Sequence, residues 1–233
     1  MKLPALEKVR FLRRYKRFLA DVENSKGQKE TVYCPNTGAM TGCDIPGMRA
    51  WLSNSKNIKR KFLKTLEFVE TPDGIVGIRS VFANNLVEEA IFGSLLAGTE
   101  EFELRSREPN IPGGAGRFDF LYSVQNQLIY VEVKSVSYLV KRGVGMFPDA
   151  ISTRASKHLQ SLISMVELGH RAVLIFCSQH TGIKSVKPAA HVDESYVRAI
   201  ELASQKGVEI RALGCTNDLI RFSADREIPF AYS

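Results

Sequence analysis

The sequence has no Cys-x-x-C pair. Its four cysteines, Cys34, Cys43, Cys177 and Cys215, are widely spaced, which argues against a zinc site and fits a reduced, cytoplasmic setting. No apolar run reaches the length needed to span a bilayer, so no membrane partner is expected. The opening stretch MKLPALEKVRFLRRYKRF lacks the apolar segment of a secretory signal, and none is expected. Internal repeats and low-complexity segments are also missing. Beyond residue 80 there is no surplus of positive charge: residues 81–233 carry 16 Lys and Arg against 17 Asp and Glu. Residues 1–80 carry 16 against 8, so the whole net charge of +7 originates there. Such asymmetry points to a polyanion, nucleic acid above all, as the partner of the N-terminal third. The alternative is a basic surface that only aids solubility.

What is present is a chain of 233 residues, enough for one large domain or two small ones around a real core. Strand-like segments near 9–22, 30–34, 48–52, 61–71 and 74–80 are separated by turn signals at Lys26-Gly27, Pro35-Asn36-Thr37-Gly38, Pro46-Gly47 and Asp73-Gly74. In CPNTG, Asn36 and Gly38 suit positive φ. About five short strands in about 80 residues predict a small barrel, of which the OB type is one that commonly binds nucleic acid. From residue 84 the texture changes. Asn84 to Ala97 reads as a helix, with Glu88 three residues after Asn85 as its capping-box partner. An irregular stretch follows from Arg105 to Gly116. Ser152 to Leu168 reads as a second helix, with Ser152 and Asp149 as competing caps. Arg171 to Cys177 is a buried strand, Asp193 caps a third helix running to about Lys206, and Gly207 to Leu213 is another strand. This order predicts an α/β domain with a mixed sheet over 81–233, after a basic barrel over 1–80.

The stretch FDFLYSVQNQLIYVEVKSV, Phe118 to Val136, reads as two buried strands but holds Asp119, Glu132 and Lys134. Glu132 and Lys134 are two apart, so they share a face. If Gln125-Asn126 is a two-residue hairpin loop, residue 124 pairs with 127 and Asp119 falls opposite Glu132. A three-residue loop would make them diagonal neighbours. Like charges facing each other in a sheet are destabilising, and an unpaired buried ion costs on the order of several kcal/mol. Lys134 can neutralise only one carboxylate. A hard divalent cation, Mg²⁺ or Mn²⁺, held by Asp119 and Glu132 resolves the remainder. Lys134 is then left to orient a water or stabilise phosphate charge. The bland alternative is a structural Lys134–carboxylate ion pair.

An Asp followed by Glu-x-Lys on the next strand resembles the PD-(D/E)xK nuclease superfamily, although Phe118 stands where a Pro is usual. Over nearly its full length the chain resembles the sugar fermentation stimulation protein family. The matching stretches are RRYKRFLADV, CPNTGAMTG, KNIKRKFLKTLE, NNLVEEAI, GRFDF, YVEVKSV, FPDAISTRASKHL and PAAHVDESY. SREPNIPGGAGRFDF and Ala155 depart from the family pattern. The resemblance implies an OB-like N-terminal barrel, a PD-(D/E)xK nuclease-like α/β domain and DNA rather than RNA as the partner. It also places Glu89 in the metal site, against the alternative of a solvated helix acid. A polar residue of the second helix is expected to support the site. Arg154, Lys157 and Ser161 share a face there; Lys157 is favoured and His158 given less weight.

On the N-terminal third, Arg13, Arg14, Tyr15, Lys16, Arg17 and Phe18 mix cations with rings, as single-strand binders do. In a strand, Arg14, Lys16 and Phe18 would share one face, and Arg13, Tyr15 and Arg17 the other. Lys59, Arg60 and Lys61 complete the expected nucleic-acid contacts, with Lys59 and Lys61 on one strand face. Two readings result. One is a Mg²⁺-dependent phosphodiesterase of nuclease type. The other is a non-catalytic DNA-binding regulator linked to sugar (maltose) metabolism. A homo-oligomer is compatible with both.

Overall fold

The structure, a computed structural model, describes residues 1–36 and 38–232. Thr37, within the expected CPNTG turn, lies outside the described residues.

The N-terminal third forms six strands: β1 (Leu6–Tyr15), β2 (Leu19–Glu23), β3 (Lys29–Tyr33), β4 (Arg49–Asn54), β5 (Lys64–Thr71) and β6 (Gly74–Gly77). They pair in the order β3-β2-β1-β4-β5-β6, and a parallel bridge of Tyr33 to Thr65 joins β3 back to β5. The closed circuit β1-β2-β3-β5-β4 is a five-stranded barrel of OB type, as expected. Its interior is filled by inward residues such as Phe11, Val22, Val32, Leu52 and Leu66.

Several local expectations are corrected. The segment 9–22 is not one strand: β1 ends at Tyr15, and Lys16 and Arg17 turn the chain with φ of 46° and 62°. The face alternation expected of Arg14, Lys16 and Phe18 therefore fails. Lys59, Arg60 and Lys61 lie in the loop before β5, so strand alternation does not govern them either. Asn36 and Gly38 are not among the described residues with positive φ. The Asn36 side chain instead accepts from Gly38 N at 2.8 Å and closes the turn that way.

The remainder contains helices α1 (Val81–Phe92), α2 (Thr153–Glu167) and α3 (Glu194–Gln205). The strands are β7 (Glu103–Arg107), β8 (Phe120–Val124), β9 (Gln127–Val136), β10 (Tyr138–Leu139), β11 (Val144–Phe147), β12 (Arg171–Ser178), β13 (Ser185–Pro188), β14 (Glu209–Asn217) and β15 (Phe222–Ile228). The main sheet runs β15-β14-β12-β9-β8-β7. It is parallel across β14-β12-β9 and antiparallel at both edges; β10, β11 and β13 form a small second sheet. β12 is almost wholly buried and apolar, as a strand between parallel neighbours must be. Val131 and Val133 face the layer containing α1, whereas Tyr130 faces the layer with α2 and α3.

Ser152 caps α2 by accepting from Ala155 N at 3.2 Å, and Asp193 caps α3 by accepting from Tyr196 N at 3.0 Å. Asp149 is not the α2 cap; it accepts from Met40 N at 3.1 Å, tying the barrel to the second layer. α1 begins three residues before the expected Asn84 and stops at Gly93. Asn85 is therefore interior, and Glu88 pairs with Arg107 rather than closing a capping box. β7 occupies the start of the stretch expected to be irregular.

The barrel and the α/β layers share an apolar core. Phe68 of β5, Phe82 of α1 and Phe222 of β15 form a triad with ring centroids 5.5–5.7 Å apart. Buried Glu67 receives Arg79 at 3.1 Å, and Gly77 N donates to Gln179 O at 2.8 Å. Removing a fully buried phenyl ring costs about 3–5 kcal/mol, and here the loss falls on both parts together. Phe68→Ala is expected to lower stability by about that amount. In the wild-type chain the fluorescence of the single tryptophan, Trp51 on the barrel, and the helical circular dichroism of α1–α3 should change in one coincident transition. Separate transitions would contradict a shared core.

Candidate functional site

The loop between β8 and β9 has two residues. Val124 pairs with Gln127 and Phe120 with Val131, and Gln125 takes a φ of 52°. This register sets Asp119 opposite Glu132, and Asp119 N extends the ladder to Val131 O at 3.1 Å. The Asp119 carboxylate accepts from Val133 N at 2.7 Å and from Asn84 Nδ2 of α1 at 2.8 Å. Glu132 is buried at the centre of the sheet, between β8 and β12. Its Oε1 receives Lys134 Nζ and His158 Nδ1, each at 2.5 Å. Its Oε2 is buried and has no hydrogen-bond partner among the described residues.

The two carboxylates are electrostatically distinct. Burial first, and the charge of Glu132 second, raise the Asp119 carboxyl above its ordinary value, against the bonds from Val133 and Asn84. Burial also works to raise Glu132, but the His158 hydrogen bond and the Lys134 charge outweigh it, so its net displacement is downward. Arg154 Nε lies 3.5 Å from His158 Nε2. The opposite ring nitrogen, Nδ1, is the one that meets Glu132.

The acid pair, Asn84, Lys134 and Arg154 line a cavity of about 370 Å³. A neighbouring chamber of about 510 Å³ shares Lys134, Ser135 and Arg154 with it and reaches Arg17, Asn36 and Gly38 on the barrel. The basic turn of the barrel and the acidic pair of the sheet thus open into adjoining spaces.

Other expected site residues are placed elsewhere. Glu89 bonds the Met1 amine at 2.6 Å and does not line the cavity; the α1 side chain that reaches Asp119 is Asn84. Lys157 is exposed and outside the cavity lining, while its neighbour His158 reaches Glu132. Consecutive helical positions point in different directions. Ala155, His158, Leu159 and Leu162 make up the buried phase of α2, a signal readable in the sequence. Arg13 pairs with Asp21 at 2.8 Å. Arg14 donates to the carbonyls of Asn36 and Gly38 at 2.9 Å and of Ala39 at 3.1 Å, clamping the CPNTG loop. Lys16 and Lys59 are exposed, Arg60 lies over Tyr33 and Lys61 over Phe62.

No group of three or more His, Cys, Asp and Glu side chains suited to a metal converges among the described residues. The oxygen pair itself suits a hard cation. Among the described residues Oε2 of Glu132 is an acceptor lacking a donor, in a cavity Asp119 also lines, and a Mg²⁺-type ion needs only one or two carboxylates when water and phosphate oxygens complete its shell.

An OB-type barrel followed by an α/β domain, with Asp119 and Glu132-x-Lys134 on paired strands, defines a two-domain class of protein. Residues 12–78 match the SfsA N-terminal OB domain, and residues 81–219 match the sugar fermentation stimulation protein RE domain. The chain is 46% identical over 214 residues to a sugar fermentation stimulation protein homolog of Shewanella sp. (strain MR-4), covering 91% of each. It is 45% identical over 211 residues to the homolog of Thioalkalivibrio sulfidiphilus, covering 91% of this chain and 89% of that one. The chain belongs to the sugar fermentation stimulation protein family. Its fold matches the solved structure of Pyrococcus furiosus SfsA in complex with Ca²⁺, with a TM-score of 0.89 at 28% identity over 99% of this chain and 98% of that one.

The raised Asp119 pKa gives a stability test. A carboxyl whose folded pKa is raised penalises the folded state at pH above that pKa, and the penalty vanishes below the ordinary value of 3.8. Without divalent ions, Asp119→Asn is therefore expected to melt above wild type at pH 8, with the difference shrinking as pH falls and gone below about pH 4. Melting curves across pH check this. A lower melting point for the variant at pH 8 would mean that the bonds from Val133 and Asn84 outweigh the repulsion.

Proposed function

We propose that this chain is a divalent-metal-dependent nuclease that hydrolyses phosphodiester bonds. The unpartnered, buried Oε2 of Glu132, in a cavity that Asp119 also lines, carries the reading. Lys134 and His158 both converge on Oε1 of Glu132, which leaves carboxylate oxygen that a hard cation would satisfy. Mg²⁺ or Mn²⁺ fits this oxygen set, and the Ca²⁺ named for the Pyrococcus furiosus relative is an ion of the same hard, oxygen-seeking kind. When bound, such an ion stabilises phosphate charge and acidifies a water. Lys134 sits at the cavity wall, where its ammonium would hold the attacking water or the developing charge on phosphate. His158 fixes the Glu132 carboxylate from behind, leaving Oε2 toward the ion. Arg154 and the barrel's basic turn would hold the backbone on either side. DNA is the expected substrate, gripped largely by the first 80 residues, which carry the positive excess.

Mg²⁺ or Mn²⁺ is expected to raise the melting temperature of wild type by mass action, with a clearly smaller rise for Asp119→Asn. Lys134→Ala should lose divalent-dependent cleavage by about 100-fold or more while binding DNA nearly as wild type does. Equal thermal shifts in wild type and Asp119→Asn would remove this metal site. Absence of cleavage by wild type on any nucleic acid, with any divalent metal, would leave a binding protein linked to sugar metabolism.

A further inference from the structure

One end of the barrel carries two stacked rings flanked by two guanidinium groups. The Arg60 guanidinium lies 5.1 Å from the Tyr33 ring centroid. Tyr33 and Phe18 are stacked, with centroids 6.4 Å apart and planes 26° apart. The Arg17 guanidinium lies 5.7 Å from the Phe18 centroid. These residues come from three separate segments: the β1–β2 turn, the end of β3 and the β4–β5 loop. Cys34 N donates to Phe18 O at 2.8 Å, and the Tyr33–Thr65 bridge draws the β5 end beside them.

Neither ring belongs to an apolar core. Phe18 is 39% exposed, and neither Phe18 nor Tyr33 packs in any of the three buried clusters. Phe18 and Tyr33 are held at the surface by each other and by Arg17 and Arg60 rather than by a core, and the exposed part of the pair is what a planar ligand would meet. The ladder also has a direction. Arg17, at one end, lines the chamber of about 510 Å³, which continues through Lys134 and Arg154 to the acid pair.

Resting on the nucleic-acid reading above, we propose that this ladder binds an unpaired strand and feeds it through the interdomain chamber to Asp119 and Glu132. A duplex hides its base faces within its own stack and offers phosphates and groove edges. Only an unpaired strand presents base faces to rings and phosphates to the flanking guanidinium groups at once. The substrate class is a single strand or the single-stranded tail of a duplex.

The test is binding of the full chain, in EDTA, to a labelled 20-nucleotide single strand and to its duplex, read by fluorescence anisotropy. Wild type is expected to prefer the single strand. Phe18→Ala and Tyr33→Ala should each weaken single-strand binding by about 10-fold or more, leave duplex binding little changed and leave the slope of log K against log[salt] intact, since stacking releases no counterions. Phe18→Trp and Tyr33→Phe should restore binding, which a folding defect would not allow. Arg60→Ala should flatten the single-strand slope by about 0.7. Equal losses on both probes, no loss on either, or no binding of either probe would overturn the proposal. Ring dependence in EDTA without any cleavage when metal is added would support the ladder and sink only the nuclease reading. Wild-type cleavage of single-stranded substrate by the Phe18→Ala, Tyr33→Ala double variant would sink the ladder and leave the nuclease reading standing.

Discussion

The register of one hairpin governs the candidate site. Two loop residues, Gln125 and Asn126, join β8 to β9, and that loop length sets Asp119 opposite Glu132. Slipping the pairing by one residue would turn every side chain of one strand to the other face. Asp119 would then no longer share a face with Glu132, and Val133 N would lose its carboxylate. The apolar residues that alternate with the charged ones, Val131 and Val133, bury against α1 and hold the register by the same periodicity. The charged group is therefore fixed by the hydrophobic pattern around it rather than by its own attractions. Those attractions are unbalanced: Lys134 and His158 converge on a single oxygen of Glu132 and leave the other without a hydrogen-bond partner among the described residues.

The second constraint is the core common to the barrel and the sheet. Because Phe68, Phe82 and Phe222 pack as one unit, the barrel is held at a definite place relative to the acid pair. Arg14 then spends its donors on the CPNTG loop, and Met40 N reaches Asp149. Two of the most conspicuous polar groups near the chamber are thus structural, building the wall that brings Arg17 beside Lys134 and Arg154.

Much of this was legible in the sequence where local chemistry and periodicity agreed. The hairpin register was one of the two that the Gln125-Asn126 turn allowed, and α2 and α3 were legible from Asp193 and from one of two competing caps, Ser152. The barrel was legible as a type, but not in its turns. Lys16 and Arg17 adopt left-handed φ without Gly or Asn to announce it, in the tight hairpin loop that lets Tyr15 pair with Leu19. α1 starts after Ser80, whose side chain makes no capping bond, so its beginning carried no signal. β7, reading ELRSR, is a half-exposed edge strand with little apolar content. His158 was readable from the buried phase of α2, whereas the charge of its neighbour Lys157 belongs to the exposed face. The position of Glu89, bonded to the chain's own amine, depends on a contact 88 residues away that no local pattern encodes.

The most direct measurement of the central claim is an anomalous difference map from crystals of the protein soaked in Mn²⁺. The account predicts the strongest peak between Glu132 Oε2 and the Asp119 carboxylate, at a coordination distance of about 2.0–2.6 Å from an oxygen of each. A strongest peak elsewhere, or a saturated soak with no density between these two carboxylates, would contradict it.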